Sequence, residues 1–159
     1  MIDVSMAGAS IILKSKNGLV VSNPITEFAD DGNPVDIPNL EVAGGNMNLN
    51  GLLVTWTKPN PVQISFTLIP GSDSERALHK FLAAVHVGGK GNTVGEAFIE
   101  SLVYKYPTPN SQRSTTGKNS NTITFSNGRL LSGPPAVGTN NEGKASSTTW
   151  TFMFESFSN

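Results

Sequence analysis

One stretch of the chain, residues 71–89, carries the pattern of an amphipathic helix and limits what the remainder can form. Leu78, Phe81, Leu82 and Val85 recur at the helical i, i+3, i+4, i+7 spacing and form one apolar stripe. A helix of three to four turns is marginal alone, so its stripe must pack on a larger element. Because the other segments are short and rich in β-forming residues, we expect that element to be a sheet.

The ends of this helix are marked by capping residues. Ser72 and Glu75 have the spacing of a capping box, which provides acceptors for the free amides of the first turn. The glycine pair at 88–89 suits a left-handed C-terminal cap. The predicted helix runs from about Ser74 to His86.

Composition favours one mainly-β domain over residues 1–159. Hydrophobic residues make up 37% and charged residues 14% of the 159, so exposed strand faces are expected to be uncharged. The net charge of −1 gives no electrostatic case for tight nucleic-acid binding. Cysteine is absent, which excludes disulfides and thiolate sites. No apolar run is long enough to span a bilayer, and the first residues lack a basic secretion signal, so we expect a soluble protein kept in a cytoplasm.

Alternating apolar residues predict the strands. In the last strand, at 146–155, Trp150, Phe152 and Phe154 share one face, and the strand at 62–69 alternates in the same way. Further strands are predicted at 11–14, 19–21, 25–28, 35–37, 40–43, 53–57, 97–106, 122–125 and 129–132. Eight or nine short strands with one helix predict a β-sandwich or partly closed β-barrel with the helix on one flank.

Turn signals join these strands. Asn17-Gly18 predicts a first hairpin, residues 29–34 form the tip of a second one between 25–28 and 35–37, and residues 126–128 form a further turn. Residues 1–10 are predicted to be an N-terminal arm and residues 107–121 an exposed loop.

Catalytic and cofactor chemistry finds little support. His79 and His86 are the only histidines and share one helix face, where they could hold a metal, although no thiol or carboxylate lies at a matching spacing. Residues 88–93 only superficially resemble a phosphate-binding loop, and the aspartates around Gly32 lack the alternation of a calcium loop. We therefore predict no catalytic residue, cofactor or metal, and expect that the protein is not an enzyme.

Several segments in their order along the chain resemble one family. These are the hairpin tip at 29–36, Trp56 before a strand that runs into Pro-Gly-Ser, the helix at 74–86, Phe-Ser-Asn-Gly-Arg-Leu-Leu-Ser-Gly-Pro-Pro-Ala at 125–136, and the aromatic strand at 149–155. Together they resemble the tail tube protein of contractile-tailed bacteriophages, which is related to the tubes of pyocins and type VI secretion. The loop at 107–121 looks longer than that family suggests.

The resemblance implies an inner tail tube. Hexameric rings, whose sheets join edge to edge into one barrel, stack into a conduit for genome ejection inside a contractile sheath. The implied partners are other copies of the chain, the tail sheath, tape-measure, baseplate and tail-terminator proteins, and DNA in transit, with no membrane insertion. The implied location is the virion tail, after assembly in the host cytoplasm. Strand edges with almost no charge agree with this expectation, because such edges pair readily with another chain.

Two groups of residues are candidate sites under this hypothesis. A lumen that passes DNA should be hydrophilic without clustered Lys or Arg. The lumen-wall candidates are Thr55, Thr57, Gln63, Ser65 and Thr67. The candidates for contacts between subunits, with the arm at 1–10, are Asp30, Asp31, Gly32, Asn33 and Pro34.

Two alternatives stay open. One is a baseplate protein of the same fold that initiates the tube. The other is a monomeric β-sandwich module that binds carbohydrate or peptide, with Trp56 or Trp150 as a stacking platform. Tryptophan burial tests the binding-module alternative, because a tryptophan that serves as a stacking platform must be exposed.

Overall fold

The computed structural model describes residues 8–15, 24–30, 34–86, 98–107 and 120–159. The strands and the helix of these ranges are β1 Ser10–Ser15, β2 Val35–Asp36, β3 Ala43–Met47, β4 Leu53–Thr57, β5 Val62–Leu68, α1 Asp73–Val85, β6 Phe98–Pro107, β7 Ser120–Ser132 and β8 Thr148–Ser158. The prediction of a mainly-β fold with one helix is confirmed. None of the described residues belongs to a helix long and apolar enough to cross a membrane.

Six of the strands form one antiparallel sheet in the order β1-β6-β7-β8-β5-β2. This sheet curls into a half-barrel, as the prediction of a partly closed barrel requires. β3 and β4 form a separate two-stranded sheet. The fold therefore consists of a curved sheet that carries the core and a hairpin outside it.

The core lies on one face of the curved sheet. Trp150, Phe152 and Phe154 of β8 are fully buried, as their alternation predicts, and Phe66 of β5 stacks on Phe152 with ring centroids 5.5 Å apart. The helical stripe also packs there, since Leu78 and Phe81 belong to the same buried cluster. Each of these large side chains contributes roughly 1.5–3 kcal/mol when it leaves water.

The start of α1 shows which half of the predicted capping box forms. The Glu75 amide donates to the Ser72 hydroxyl at 3.3 Å, so Ser72 is the cap. The Glu75 carboxylate is buried, accepts a hydrogen bond from the Thr148 hydroxyl at 3.3 Å, and lies 3.2 Å from His79 Nε2. Thr148 in turn accepts from the Trp150 indole at 3.1 Å. Glu75 thus ties the helix to β8 instead of closing the box.

The predicted pairing between residues 25–28 and 35–37 is wrong. Phe28 bridges β5, and Val35 pairs with the same strand, so both segments lie along one edge of the curved sheet. Ile25 instead bridges β1. Both segments run antiparallel to β5 and therefore have the same direction, so the free edge of β5, rather than a hairpin between the two segments, decides the pairing.

The predicted turn at 126–128 is also wrong. β7 runs through residues 126–128 without a reversal. Within the strand, Asn127 has a left-handed backbone conformation with a φ of 54°. Gly128 lies directly against β8, where a side chain would overlap the Met153 carbonyl oxygen and the Phe154 ring. Here the glycine permits close approach of two strands rather than a reversal.

Several predicted segments fall wholly or mostly outside the described residues. These are the arm at 1–10 up to residue 7, the strand at 19–21, the glycine cap at 88–89, and residues 108–119 of the exposed loop. Pro107 pairs with Ser120, so that loop joins the paired ends of β6 and β7.

Candidate assembly interface

The hairpin of β3 and β4, residues 43–57, exposes apolar side chains on both of its faces. None of its side chains belongs to the buried core. The exposed fractions of its largest strand side chains are 64% for Met47, 67% for Leu53, 51% for Val54 and 46% for Trp56. Contiguous apolar surface of this kind marks an interaction site.

The hairpin carries no ionisable side chain. Residues 42–57 include no Asp, Glu, Lys or Arg, and the nearest charges, Glu41 and Lys58, pair with each other at 2.7 Å at its base. Burial of this segment therefore costs no desolvation of an ion. The cores of protein interfaces are depleted of charge in the same way, so the hairpin suits a protein partner.

A tight turn fixes the tip of the hairpin. The Asn48 side chain accepts hydrogen bonds from the amides of Asn50 and Leu52 at 3.0 and 2.8 Å, and Gly51 supplies the positive φ of 77°. Leu49 is fully exposed at the tip. The geometry is preformed, so a partner that binds the tip need not order it first.

A second turn has the same geometry with polar residues. The Asn140 side chain accepts from the amides of Glu142 and Lys144 at 2.9 and 3.0 Å, and Gly143 has a φ of 76°. Asn141 takes the position that Leu49 holds in the hairpin. The turn itself therefore does not require apolar residues, and the leucines at the hairpin tip need another explanation.

The two tryptophans lie in opposite environments. Trp150 is fully buried, so its interpretation as a stacking platform is wrong. Trp56 is 46% exposed and lies across Gly44 of the paired strand, where an added Cβ would be 2.7 Å from the indole. Its second ring face is available to a partner.

The lumen-wall candidates lie on two separate sheets. Thr55 and Thr57 are exposed on β4, whereas the other three lie on β5 opposite the core side chains. There Ser65 and Thr67 make hydroxyl contacts to β8 at 2.9 and 3.1 Å, and Gln63 is half-buried. Thr67 is itself buried at 8% exposure, so Gln63 and Ser65 are the lumen-wall candidates on β5 that remain partly accessible to solvent.

The subunit-contact candidates are described only in part. Asp30 and Pro34 are exposed, and the Pro34 carbonyl accepts a hydrogen bond from the Thr67 amide at 2.9 Å. Asp31, Gly32 and Asn33 lie outside the described residues. The role of this tip stays a prediction.

Titratable groups do not assemble into a metal site within the described ranges. His79 faces Glu75 and meets the Trp150 ring edge-on with centroids 5.0 Å apart, so it packs against the core. Burial, and to a smaller extent the neighbouring Tyr106, raises the pKa of Tyr104 above its ordinary value of 10.0. Tyr104 lines an open groove of about 420 Å³ with Phe28 and Val35.

Thr55, Thr57 and Trp56 of the hairpin are predicted as candidate site residues, but the pairing of β3 with β4 and its apolar surface are not predicted, although the sequence contains their signals. Asn50-Gly51 separates two apolar runs, which is the same signature that predicts the first hairpin. Gly44 and Gly45 obscured it, because glycine is depleted in strands. An uncharged run at 42–57 that has no place in the core is the feature that would have identified it.

The fold and this surface define a class: a mainly-β protein with a partly closed sheet and an uncharged apolar hairpin available for assembly. The family model of tail fiber protein gp32 matches residues 2–158, so the chain belongs to that family and is a structural tail-associated protein.

Two solved structures of contractile injection systems share the fold. The cap of the anti-feeding prophage, described as the tube terminating cap, has 12% identity and a TM-score of 0.54, over 98% of this chain and 89% of that one. The sheath/tube terminator of an extracellular contractile injection system, PVC, in its extended state, has 12% identity and a TM-score of 0.58, over 98% and 95%. No curated protein sequence matches the chain.

Proposed function

We propose that the chain forms rings in a contractile tail and that its position is the inner tail tube. The observation that carries the proposal is the uncharged hairpin at 43–57, which exposes apolar side chains on both faces. A free monomer pays to keep this surface in water, and a repeated assembly removes it from water. Likeness in fold to two components of contractile injection systems supports the same proposal.

The function is mechanical and needs no catalysis. Copies of the chain join into hexameric rings, the rings stack, and a sheath surrounds the stack, while the tape-measure protein and later the genome occupy the lumen. The hydroxyls of Ser65 and Thr151 contact each other on the sheet face opposite the core, and Arg129 is the exposed cation that the pairing of β7 with β8 places on the same face. A lumen wall on this face would be polar, without a cluster of cations on β5, β7 and β8 to hold phosphates. Contacts between a projecting hairpin and the body of another copy are heterologous, and such contacts generate rings or filaments.

A tube terminator is the second candidate, because both related structures carry that description. Both roles use a ring of this fold, and they differ in copy number and in position along the tail. A tube subunit repeats along the tail, whereas a terminator occupies one end and a baseplate initiator the other.

Electron microscopy tests both parts of the proposal. Negative-stain images of the purified protein should show hollow rings or tubes of uniform diameter as concentration rises. In purified tails, quantitative mass spectrometry should find the chain in a copy number that grows with tail length. A low, length-independent copy number would favour a terminator or an initiator. Immunogold labelling of the chain on intact tails that marks only the fibres would contradict the proposal. Monomers that neither assemble nor join purified baseplates would also contradict it.

A further inference from the structure

An open groove of about 420 Å³ lies at the margin of the core, beside the start of β1. Phe28 and Val35 supply apolar lining and are only half-buried, although both pack against the buried core cluster. Tyr104 of β6 forms a further part of the wall. The described residues therefore leave apolar side chains at the core margin uncovered, and such a surface is stabilised when another segment removes it from water.

The chain that precedes β1 is attached at the wall of this groove. Gly8 and Ala9, the last residues before β1, both line it. Gly8 has a φ of 90°, a left-handed conformation that lets the chain change direction there, and an added Cβ would meet no atom within 4 Å. Residues 1–7 therefore start at the groove, and as extended chain they reach roughly 23 Å, which is ample to cross it.

The sequence of this segment alternates in the way that a groove-covering strand requires. Ile2, Val4 and Met6 are apolar. Asp3 and Ser5, which lie between them, are polar. In an extended segment, residues two apart share one side and successive residues point to opposite sides. One side of the segment can therefore cover an apolar groove while the other stays in water.

We infer that residues 2–6 pack into the groove of their own chain, with their three apolar side chains against Phe28 and Val35. The occupant is the chain's own segment because that segment is attached at the groove wall. A tethered segment has a high effective concentration at its site and loses little translational freedom on binding. The contact completes the core of a single chain, so it does not depend on the proposed function.

Disulfide trapping tests this inference, since the chain contains no cysteine of its own. One variant carries Val4→Cys with Thr26→Cys, because Thr26 is exposed and lines the groove. The matched control carries Ser5→Cys with Thr26→Cys, which moves the first thiol by one residue to the polar side of the segment. Mass spectrometry and sedimentation of the oxidised proteins separate bonds within one chain from bonds between chains.

We expect the Val4 variant to oxidise roughly tenfold faster than the Ser5 control, because a disulfide forms only between thiols that face each other at short range. The bond should lie within one chain, and its rate should not change on dilution. Equal rates for the two variants would overturn the inference. Bonds that join two chains and decline on dilution would also overturn it, since they would place the segment in the groove of another copy.

Thermal melting provides a second test that needs no thiol. Replacing Ile2, Val4 and Met6 together with serine should lower the melting temperature by about 5 °C or more, because the groove loses its apolar cover. Replacing Asp3 and Ser5 with alanine should leave the melting temperature unchanged. A triple serine variant that melts like the wild type would contradict the inference, whatever the state of assembly.

Discussion

Replacing both Leu49 and Leu52 with lysine is expected to stop assembly while the chain stays folded. Both leucines are exposed at the hairpin tip and contact no part of the buried core, so the monomer loses nothing that holds it together. In the assembly, each lysine must leave water or hold the partner away. We expect the concentration needed for assembly to rise by about 100-fold or more, equivalent to about 2.7 kcal/mol.

The chain contains a matched control for this double variant. Asn141→Lys places lysines at 141 and 144, the positions in the Asn140 turn that correspond to 49 and 52 in the hairpin. We expect this variant to assemble like the wild type. Sedimentation velocity measures assembly, and thermal melting of the monomer measures the fold. If the double lysine variant assembles at the wild-type concentration, the tip is not part of the interface.

Gly128→Ala is expected to give the largest loss of stability for the smallest change in the chain. The added methyl group would overlap the Met153 carbonyl oxygen and the Phe154 ring, so β7 and β8 would have to separate at the centre of the sheet. Overpacking against a backbone atom has no flexible side chain to relieve it. We expect a loss of about 3 kcal/mol or more in the free energy of unfolding.

Gly138→Ala is the control for this prediction. An added Cβ at Gly138 meets no atom within 4 Å, and we expect its effect to stay within about 0.5 kcal/mol. Urea denaturation, followed by the fluorescence of the buried Trp150 in a Trp56→Phe background, measures both variants. Equal stability of the two would mean that β7 and β8 do not approach as closely as the structure has them.

The sequence was most informative where a pattern reports burial directly. Alternation in β8 predicts which face holds Trp150 and Phe152, and the helical stripe predicts that Leu78 and Phe81 enter the core. Ser72 is identifiable as a cap because the capping contact is local. In these cases the signal and its structural cause lie within a few residues of each other.

Pairing between distant segments could not be predicted in this way. Residues 25–28 and 35–37 look like the two arms of a hairpin, but the free edge of β5 is available to both. Asn127-Gly128 has the composition of a turn, and only its contact with β8, far along the chain, makes it part of a strand. The strand at 53–57 was predicted, but its pairing with β3 and the apolar surface of the hairpin were not, because no core explains these apolar residues.

The central claim is that the hairpin becomes buried when copies of the chain assemble, and acrylamide quenching of Trp56 tests it most directly. Trp150 is buried already, so a change in quenching between monomer and assembly reports Trp56. We predict that the quenching constant falls several-fold as sedimentation shows assembly, and that a Trp56→Phe variant shows no such change. Assembled rings or tubes whose Trp56 stays as accessible as in the monomer would contradict the account.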